Sequence, residues 1–496
     1  MSSEEPEKAR SSDGQRQTPA GHSAARQDLP PRHPADESTR VHTGESRPTG
    51  NTAMNSPNPQ TSPPDPAQTL SPKKPQRKAH SLIDKVYNGK NLWTAWRKVR
   101  ANKGAHGLDR VTIRMFERNV EMHLREIQRK LMQRRFQPQP VRRVYIPKAG
   151  DKSKLRPLGI PVVADRIVQQ AIVQVVEPLF DAQMSPRSFG FRKHRRAHAA
   201  IATVIQDAKE GYREVVDADI ASFFDKIDHA VVMSRVRARI ADGRVLDLIE
   251  DFLKAGVSEH DVITVPTEGT PQGGVISPWL SNLVLDDLDK AIEAKGWRHV
   301  RYADDFVVLC KSREEAECAL DYVKVVLGKL KLSLHETKTR LSDFREGFDF
   351  LGFRFHNFCL GIRPKTLERF KDRVRQLTRR QQGRNVEAVL RDLNPVLRGW
   401  SNYVGVAEVT ALFDVLDGWI RSRLRAFKNK RWSHNDRWRI PNRRLRSWGL
   451  LSLRECRAEL RLSFRLGSLA SERMAGPLLR GTHPGSPSAL TAHAAQ

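Results

Sequence analysis

Large apolar side chains become regular in this chain only after residue 78. Residues 1–78 are rich in Ser, Pro, Thr, Gln and Gly. Such a segment cannot bury enough surface to offset its ordering entropy, so it reads as a disordered arm. Order is expected to begin near His80-Ser81, with Ser81 as the N-cap of a helix through Leu82-Ile83-Asp84-Lys85-Val86. Ile167-Val168, Ala171-Ile172 and Val175-Val176 recur at helical spacing. Three short apolar runs read as strands: Glu214 to Ile220, Trp297 to Arg301 and Phe306 to Leu309. Phe348, Phe350, Phe353 and Phe355 crowd a strand-like run around Gly352 and read as core packing.

From about residue 366 the texture becomes helical. Leu367, Phe370, Val374 and Leu377 form one apolar stripe, flanked by Arg and Lys. Leu412-Phe413, Leu416, Trp419-Ile420, Leu424 and Phe427 form a second. Residues after about 475 read as a loosely ordered tail. The implied division is an arm (1–78), a mixed helix-and-strand region (79–365), a helical region (366–475) and a tail (476–496).

Between two of the predicted strands lies Tyr302-Ala303-Asp304-Asp305, which places adjacent carboxylates at the tip of a β-hairpin. Adjacent acids repel, and a fold that holds them together usually neutralises them with a divalent cation. Asp219 ends another apolar run. Three carboxylates on neighbouring strands can hold two Mg²⁺ ions about 3.5–4 Å apart, the arrangement used for in-line phosphoryl transfer. Asp217, two residues from Asp219, shares its strand face and reads as a supporting or solvated acid.

Charge narrows the partner. The 496 residues carry 86 Lys and Arg against 57 Asp and Glu, a formal net charge of +29. That surplus implies a polyanion, most simply nucleic acid. Between 421 and 446 basic residues outnumber acids eleven to one, interleaved with Phe427, Trp432 and Trp438. Such a stretch can contact phosphates and stack on unpaired bases. Arg421, Arg423, Arg425, Lys428, Lys430 and Arg431 are its candidate RNA-binding residues. The four cysteines form no CxxC pair, so neither a disulfide framework nor a cysteine zinc site is indicated, which suits a reducing cytoplasm. No apolar run is long enough for a membrane span, and no apolar N-terminal stretch suggests a secretory signal.

The order of motifs carries a resemblance. Asn102-Lys-Gly-Ala-His-Gly-Leu-Asp109 is followed by Tyr145-Ile-Pro-Lys148, Leu155-Arg-Pro-Leu-Gly-Ile-Pro161 and Asp165-Arg-Ile-Val-Gln-Gln170. Next come Ser188-Phe-Gly-Phe-Arg192, the Asp219 to His229 run and Gly269-Thr-Pro-Gln-Gly-Gly-Val-Ile-Ser-Pro278. Tyr302-Ala-Asp-Asp305, His335-Glu-Thr-Lys338 and Phe350-Leu-Gly-Phe353 complete the series. Together they resemble the reverse transcriptases, or maturases, encoded by bacterial group II introns, over residues 80 to at least 430.

The resemblance implies an α+β right-hand polymerase, with fingers and palm on antiparallel sheet and an α-helical thumb (domain X) behind them. It implies Asp219, Asp304 and Asp305 as catalytic carboxylates, with Asp219, Ile220, Asp304 and Asp305 as the metal-holding set for two Mg²⁺ ions. Phe224 would lie beneath the incoming sugar and exclude a 2′-hydroxyl, or would simply pack the palm, with Phe223 in the core. Gln272 and Gly273 would contact nucleotide and template, and Arg156 and Lys148 the triphosphate. Lys338 would either give a proton to pyrophosphate or form a salt bridge. Asn102–Asp109 resembles an extension that clamps template and primer. Arg398-Gly-Trp-Ser-Asn-Tyr403 resembles the start of domain X, with Val404 where many relatives carry an aromatic residue. The sparse Cys and His beyond position 360 lead to the expectation of no HNH endonuclease activity.

Implied partners are group II intron RNA, an RNA template with a DNA primer, deoxynucleoside triphosphates and target DNA, in the bacterial cytosol. Two other readings stand beside this one. The chain could be a splicing cofactor that no longer polymerises, or a domesticated relative serving phage defence or spacer acquisition. The intact carboxylates and the Thr270-Pro-Gln-Gly273 loop argue against the first as the sole activity.

Overall fold

The computed structural model describes residues 78–458 apart from 149, 150 and 434, so the tail and nearly all of the predicted arm lie outside the described residues. Eleven strands are described. They are β1 (Val141–Lys148), β2 (Asp151–Ile160), β3 (Glu214–Asp219), β4 (Val257–Glu259), β5 (Val262–Thr264) and β6 (Arg298–Tyr302). The remainder are β7 (Asp305–Cys310), β8 (Arg340–Asp343), β9 (Phe348–Phe350), β10 (Phe353–His356) and β11 (Cys359–Ile362).

The strands form three sheets, ordered β2-β1-β4-β5, β6-β7-β3-β8 and β11-β10-β9. The second and third are antiparallel throughout. The first is mixed, because β1 meets β4 in parallel through Val141↔Val257 and Arg142↔Ser258. The expected antiparallel sheet is present, and this one parallel pairing is added to it.

β3 sits inside its sheet, and side-chain alternation divides it between two cores. Val216 and Ala218 enter one cluster with Phe306, Val308 and the helix Val163–Asp181. Val215 enters the other with Val307, Leu309 and the phenylalanines of β9 and β10. By the same period, Asp217 and Asp219 share the Val215 face, and Asp305 shares the Val307 face. Burying a Val or Phe side chain stabilises by roughly 1.5–3 kcal/mol, so this alternation pins the register that sets the acids.

Phe348, Phe350, Phe353 and Phe355 are all essentially buried, as core packing required. The second core continues without a break into the helices Pro364–Leu377, Val386–Val404 and Thr410–Asn429. Tyr403 Oη donates to the Leu351 carbonyl at 2.7 Å, a further tie between these layers.

Ser81 is not the predicted N-cap. It has φ 51, and the helix Ile83–Val86 begins after Leu82. The Leu82 and Ile83 amides instead donate to Asp242 Oδ2 at 2.7 and 2.8 Å. The other oxygen of Asp242 caps its own helix, Gly243–Lys254. One carboxylate from 160 residues away serves two helix starts.

Candidate active site

β3 and β7 run antiparallel with Asp219 directly opposite Asp305. β6 and β7 form the predicted hairpin, closing on the pair Tyr302↔Asp305, with Ala303 and Asp304 between them. Ala303 has φ 63, a left-handed conformation in which an L side chain is strained. The three acids thus converge on one end of one sheet.

Burial dominates the electrostatics of Asp304 and Asp305. Burial pushes the Asp305 carboxyl up to about 7, and Asp217, Asp304 and Asp219 push it further in the same direction. Burial also raises Asp304, with Asp219 adding and Arg156 and Arg301 opposing. Oxygen donors with surplus negative charge suit a hard divalent cation. Among the described residues, however, no three His, Cys, Asp or Glu side chains are gathered closely enough to hold an ion as they stand. Lys338 Nζ takes up Asp219 Oδ2, so the salt-bridge reading of Lys338 holds in this state. Asp217 pairs with Arg340 at 3.1 Å, consistent with a supporting acid. The Ile220 side chain is buried in the core and leaves only its backbone for an ion.

Glycines and backbone hydrogen bonds build the loop Gly269–Gly274. Thr270 N donates to the Phe224 carbonyl at 2.7 Å, and Gly159 N donates to the Gln272 carbonyl at 2.8 Å. Gly273 has φ 117, and a Cβ there would stand 2.6 Å from the Gly159 carbonyl oxygen. No other residue fits that approach. Gln169 Oε1 accepts from Val275 N at 2.8 Å and Ile276 N at 3.3 Å, which gives the Asp165–Gln170 motif a role in holding the loop. Phe223 is buried, while Phe224 is only partly buried, with its ring edge-on to Phe223 at 5.3 Å. Arg156 is exposed on β2. Lys148 ends β1, and its side chain lies outside the described residues.

The Asn102–Asp109 loop packs on the segment after β2. Arg166 donates to the carbonyls of Pro161 and Ala105, and Arg142 to that of His106.

The candidate RNA-binding residues divide. Arg425 is buried and donates to the Ile440 carbonyl and Asn442. Arg423 donates to Thr378, and Lys430 to the Arg380 carbonyl. Lys428 and Arg431 are exposed. Arg421 lines a cavity of about 560 Å³ with Arg425, Arg437 and Trp438. Trp438 is 88% exposed. Burial lowers the Arg425 guanidinium, and the charges of Arg421 and Arg437 lower it further, so this cavity concentrates positive charge.

Sequence reasoning missed the residues behind the hairpin: Arg301, Asp289, Asn282 and Gly190. The Ser188–Arg192 motif was visible, but nothing in the sequence paired it with the turn.

A palm-like sheet with three converging acids, a glycine loop beside them and a helical layer behind defines a nucleic-acid polymerase of reverse-transcriptase type. Residues 146–355 match the family model described as reverse transcriptase (RNA-dependent DNA polymerase). Residues 367–446 match the group II intron maturase-specific domain. Protein YkfC of Escherichia coli is 35% identical over 321 residues, covering 56% of this chain and 84% of that protein. The group II intron-encoded protein LtrA of Lactococcus lactis is 29% identical over 328 residues, covering 53% of this chain and 54% of LtrA. A solved partial Cas6-RT-Cas1--Cas2 complex aligns at 26% identity over 53% of this chain and 46% of that chain, with a TM-score of 0.34. The chain belongs to the group II intron reverse transcriptase/maturase family. It carries an RNA-directed DNA polymerase domain, and RNA is the partner class that follows. Among the described residues no helix is long and apolar enough to cross a membrane.

Proposed function

We propose that this protein copies an RNA template into DNA at Asp219, Asp304 and Asp305 with two Mg²⁺ ions, and binds its host group II intron RNA to promote splicing and retrohoming. The observation that carries the reading is the register of Asp219 against Asp305, with Asp304 on the turn beside them. Those carboxylates, with the Ile220 backbone, would hold the ions. Bound Mg²⁺ would activate the primer 3′-hydroxyl and neutralise the departing pyrophosphate.

The remaining roles fall to the chain's own groups. Phe224, fixed through its carbonyl by Thr270, supports the sugar of the incoming nucleotide and excludes a 2′-hydroxyl. Gln272 and Gly273 contact base and template. Arg156 and Lys148 meet the triphosphate. Lys338, which pairs with Asp219 in this structure, would be free to protonate pyrophosphate when that carboxylate serves an ion instead. On the helical region, Arg421, Lys428 and Arg431 meet RNA phosphates, with Arg437 and Trp438 beside Arg421. Target DNA is the further partner during retrohoming, in the bacterial cytosol.

Primer extension on an RNA template with Mg²⁺ and deoxynucleotides tests the reading against Asp304→Ala/Asp305→Ala. Extension by wild type alone is expected. No extension by folded wild type would transfer the assignment to a splicing cofactor.

A further inference from the structure

Arg301 lies on β6 with its side chain wholly buried. Its guanidinium makes four hydrogen bonds. Nε and Nη2 grip Asp289 at 2.8 and 2.6 Å, and Nη1 donates to Asn282 Oδ1 and to the Ala303 carbonyl, both at 2.9 Å. Asp289 and Asn282 both belong to the helix Ser277–Ala294, which follows directly on the Gly269–Gly274 loop. The charged fork therefore links that helix to the backbone of the one non-glycine residue of the turn with a left-handed φ.

A second support comes from the Ser188–Arg192 motif. Phe189 N donates to the Arg301 carbonyl at 2.8 Å, and Arg301 N donates to the Arg187 carbonyl at 3.0 Å. Asn282 Nδ2 donates to the Gly190 carbonyl at 2.8 Å. A Cβ on Gly190 would stand 2.2 Å from Ala303 N. The backbone at 190 thus lies flush against the turn, and Asn282 ties both supports together.

A buried ion pair is weak evidence for stability, because desolvation offsets most of its attraction and an apolar pair of similar volume often serves as well. What an apolar pair cannot supply is a donor to the Ala303 carbonyl. We propose that Arg301, anchored on Asp289 and Asn282, is a positioning residue that imposes the left-handed conformation of Ala303 and thereby aims Asp304 and Asp305. Gly190 is the surface against which the turn is held. This inference rests on the reading of those acids as the metal-holding set.

Arg301→Lys tests it, because lysine keeps the charge and loses the fork. Template-primer extension is read together with Mn²⁺ binding, counted by the paramagnetic resonance of free ion. Wild type and Asp304→Ala/Asp305→Ala run alongside, so failure of the metal-site reading appears as unchanged Mn²⁺ binding in the carboxylate variant. Arg301→Lys is expected to lower kcat by roughly ten- to a hundredfold, the scale of a misplacement near 1 Å. KM for deoxynucleotide should move less than about threefold, and Mn²⁺ should bind more weakly. Adding Ala303→Gly should restore part of both losses, because glycine adopts positive φ unaided. A general packing defect at Arg301 would not be rescued from residue 303. If Arg301→Lys does not fold, Asn282→Ala removes one acceptor, leaves the ion pair whole and is read by the same measurements. A folded variant with wild-type kcat and Mn²⁺ binding, or a loss that Ala303→Gly does not relieve, would overturn the proposal.

Discussion

Lys338 reaches across from the segment before β8 and closes on Oδ2 of Asp219, the acid that faces Asp305 in the sheet. In this state the ammonium neutralises a carboxylate that the proposed reaction needs for an ion, so lysine and metal compete for one oxygen. Both partners are substantially exposed, and an exposed pair is worth about 0–1 kcal/mol. Lys338→Met should therefore leave the melting temperature within a few degrees of wild type while tightening Mn²⁺ binding several-fold. Primer extension should still fall if the lysine also delivers the proton to pyrophosphate. Weaker Mn²⁺ binding in a folded Lys338→Met protein would show that the lysine assists the site rather than guarding it.

Asp165 offers a pH-dependent test away from the carboxylate cluster. It is buried at the start of the helix Val163–Asp181 and accepts a hydrogen bond from Gln139 N at 2.9 Å. Burial pushes its carboxyl up to about 7, against the hydrogen bond from Gln139. An acid whose pKa is raised by folding contributes most below its unfolded value and loses that contribution as pH rises through the folded one. The loss should run from about pH 4 to pH 7, with an upper bound of about 4 kcal/mol. Asp165→Asn, which keeps an acceptor for Gln139, should resemble wild type at about pH 4 and exceed it increasingly in stability up to pH 8. Parallel melting curves across that range would contradict the assignment.

Asp242 joins two parts of the chain by capping. Removing a cap costs roughly 0.5–2 kcal/mol, and this carboxylate serves two helix starts. Asp242→Ala should destabilise by about 1–4 kcal/mol, and Asp242→Asn, which retains one acceptor oxygen, by about half as much. Denaturant midpoints at constant m-value check this. Equal losses from both substitutions would mean that only one of the two caps matters.

The physics of these residues explains what could be read from the chain alone. Strand positions were legible around Asp219 and the Tyr302–Asp305 turn because Val and Phe alternation is local. That these acids lie on neighbouring strands was legible too, but the register that sets Asp219 opposite Asp305 was not. The phenylalanines of β9 and β10 declared a core by density alone. The long-distance partners were not legible. Asp242 displaces Ser81 as a cap from 160 residues away, and Arg301 finds Asp289 and Asn282 only once helix and strand have packed. A buried arginine in a basic chain looks in sequence like any other positive charge. The same ambiguity affected the helical region, where Arg425 fell within a basic run yet turns inward.

That last contrast yields a prediction of its own. Arg421 and Arg437 line a positively charged cavity together with the exposed Trp438, and Arg425, which also borders it, spends its donors on the Ile440 carbonyl and Asn442. Charge reversal at the first two should act on RNA, and at the third on folding. Arg421→Glu/Arg437→Glu should weaken intron RNA binding, more strongly at low salt, and flatten the dependence of log K on log salt by roughly 0.7 for each phosphate no longer neutralised. Trp438→Ala should weaken binding by about 1–3 kcal/mol with an unchanged salt slope, because stacking releases no counterions. Arg425→Glu should reduce the yield of folded protein, since it places an unpaired charge where a satisfied one stood. An unaltered salt slope in the folded double variant would move the RNA-binding surface elsewhere on the helical region, with Lys428 and Arg431 the next positions to reverse.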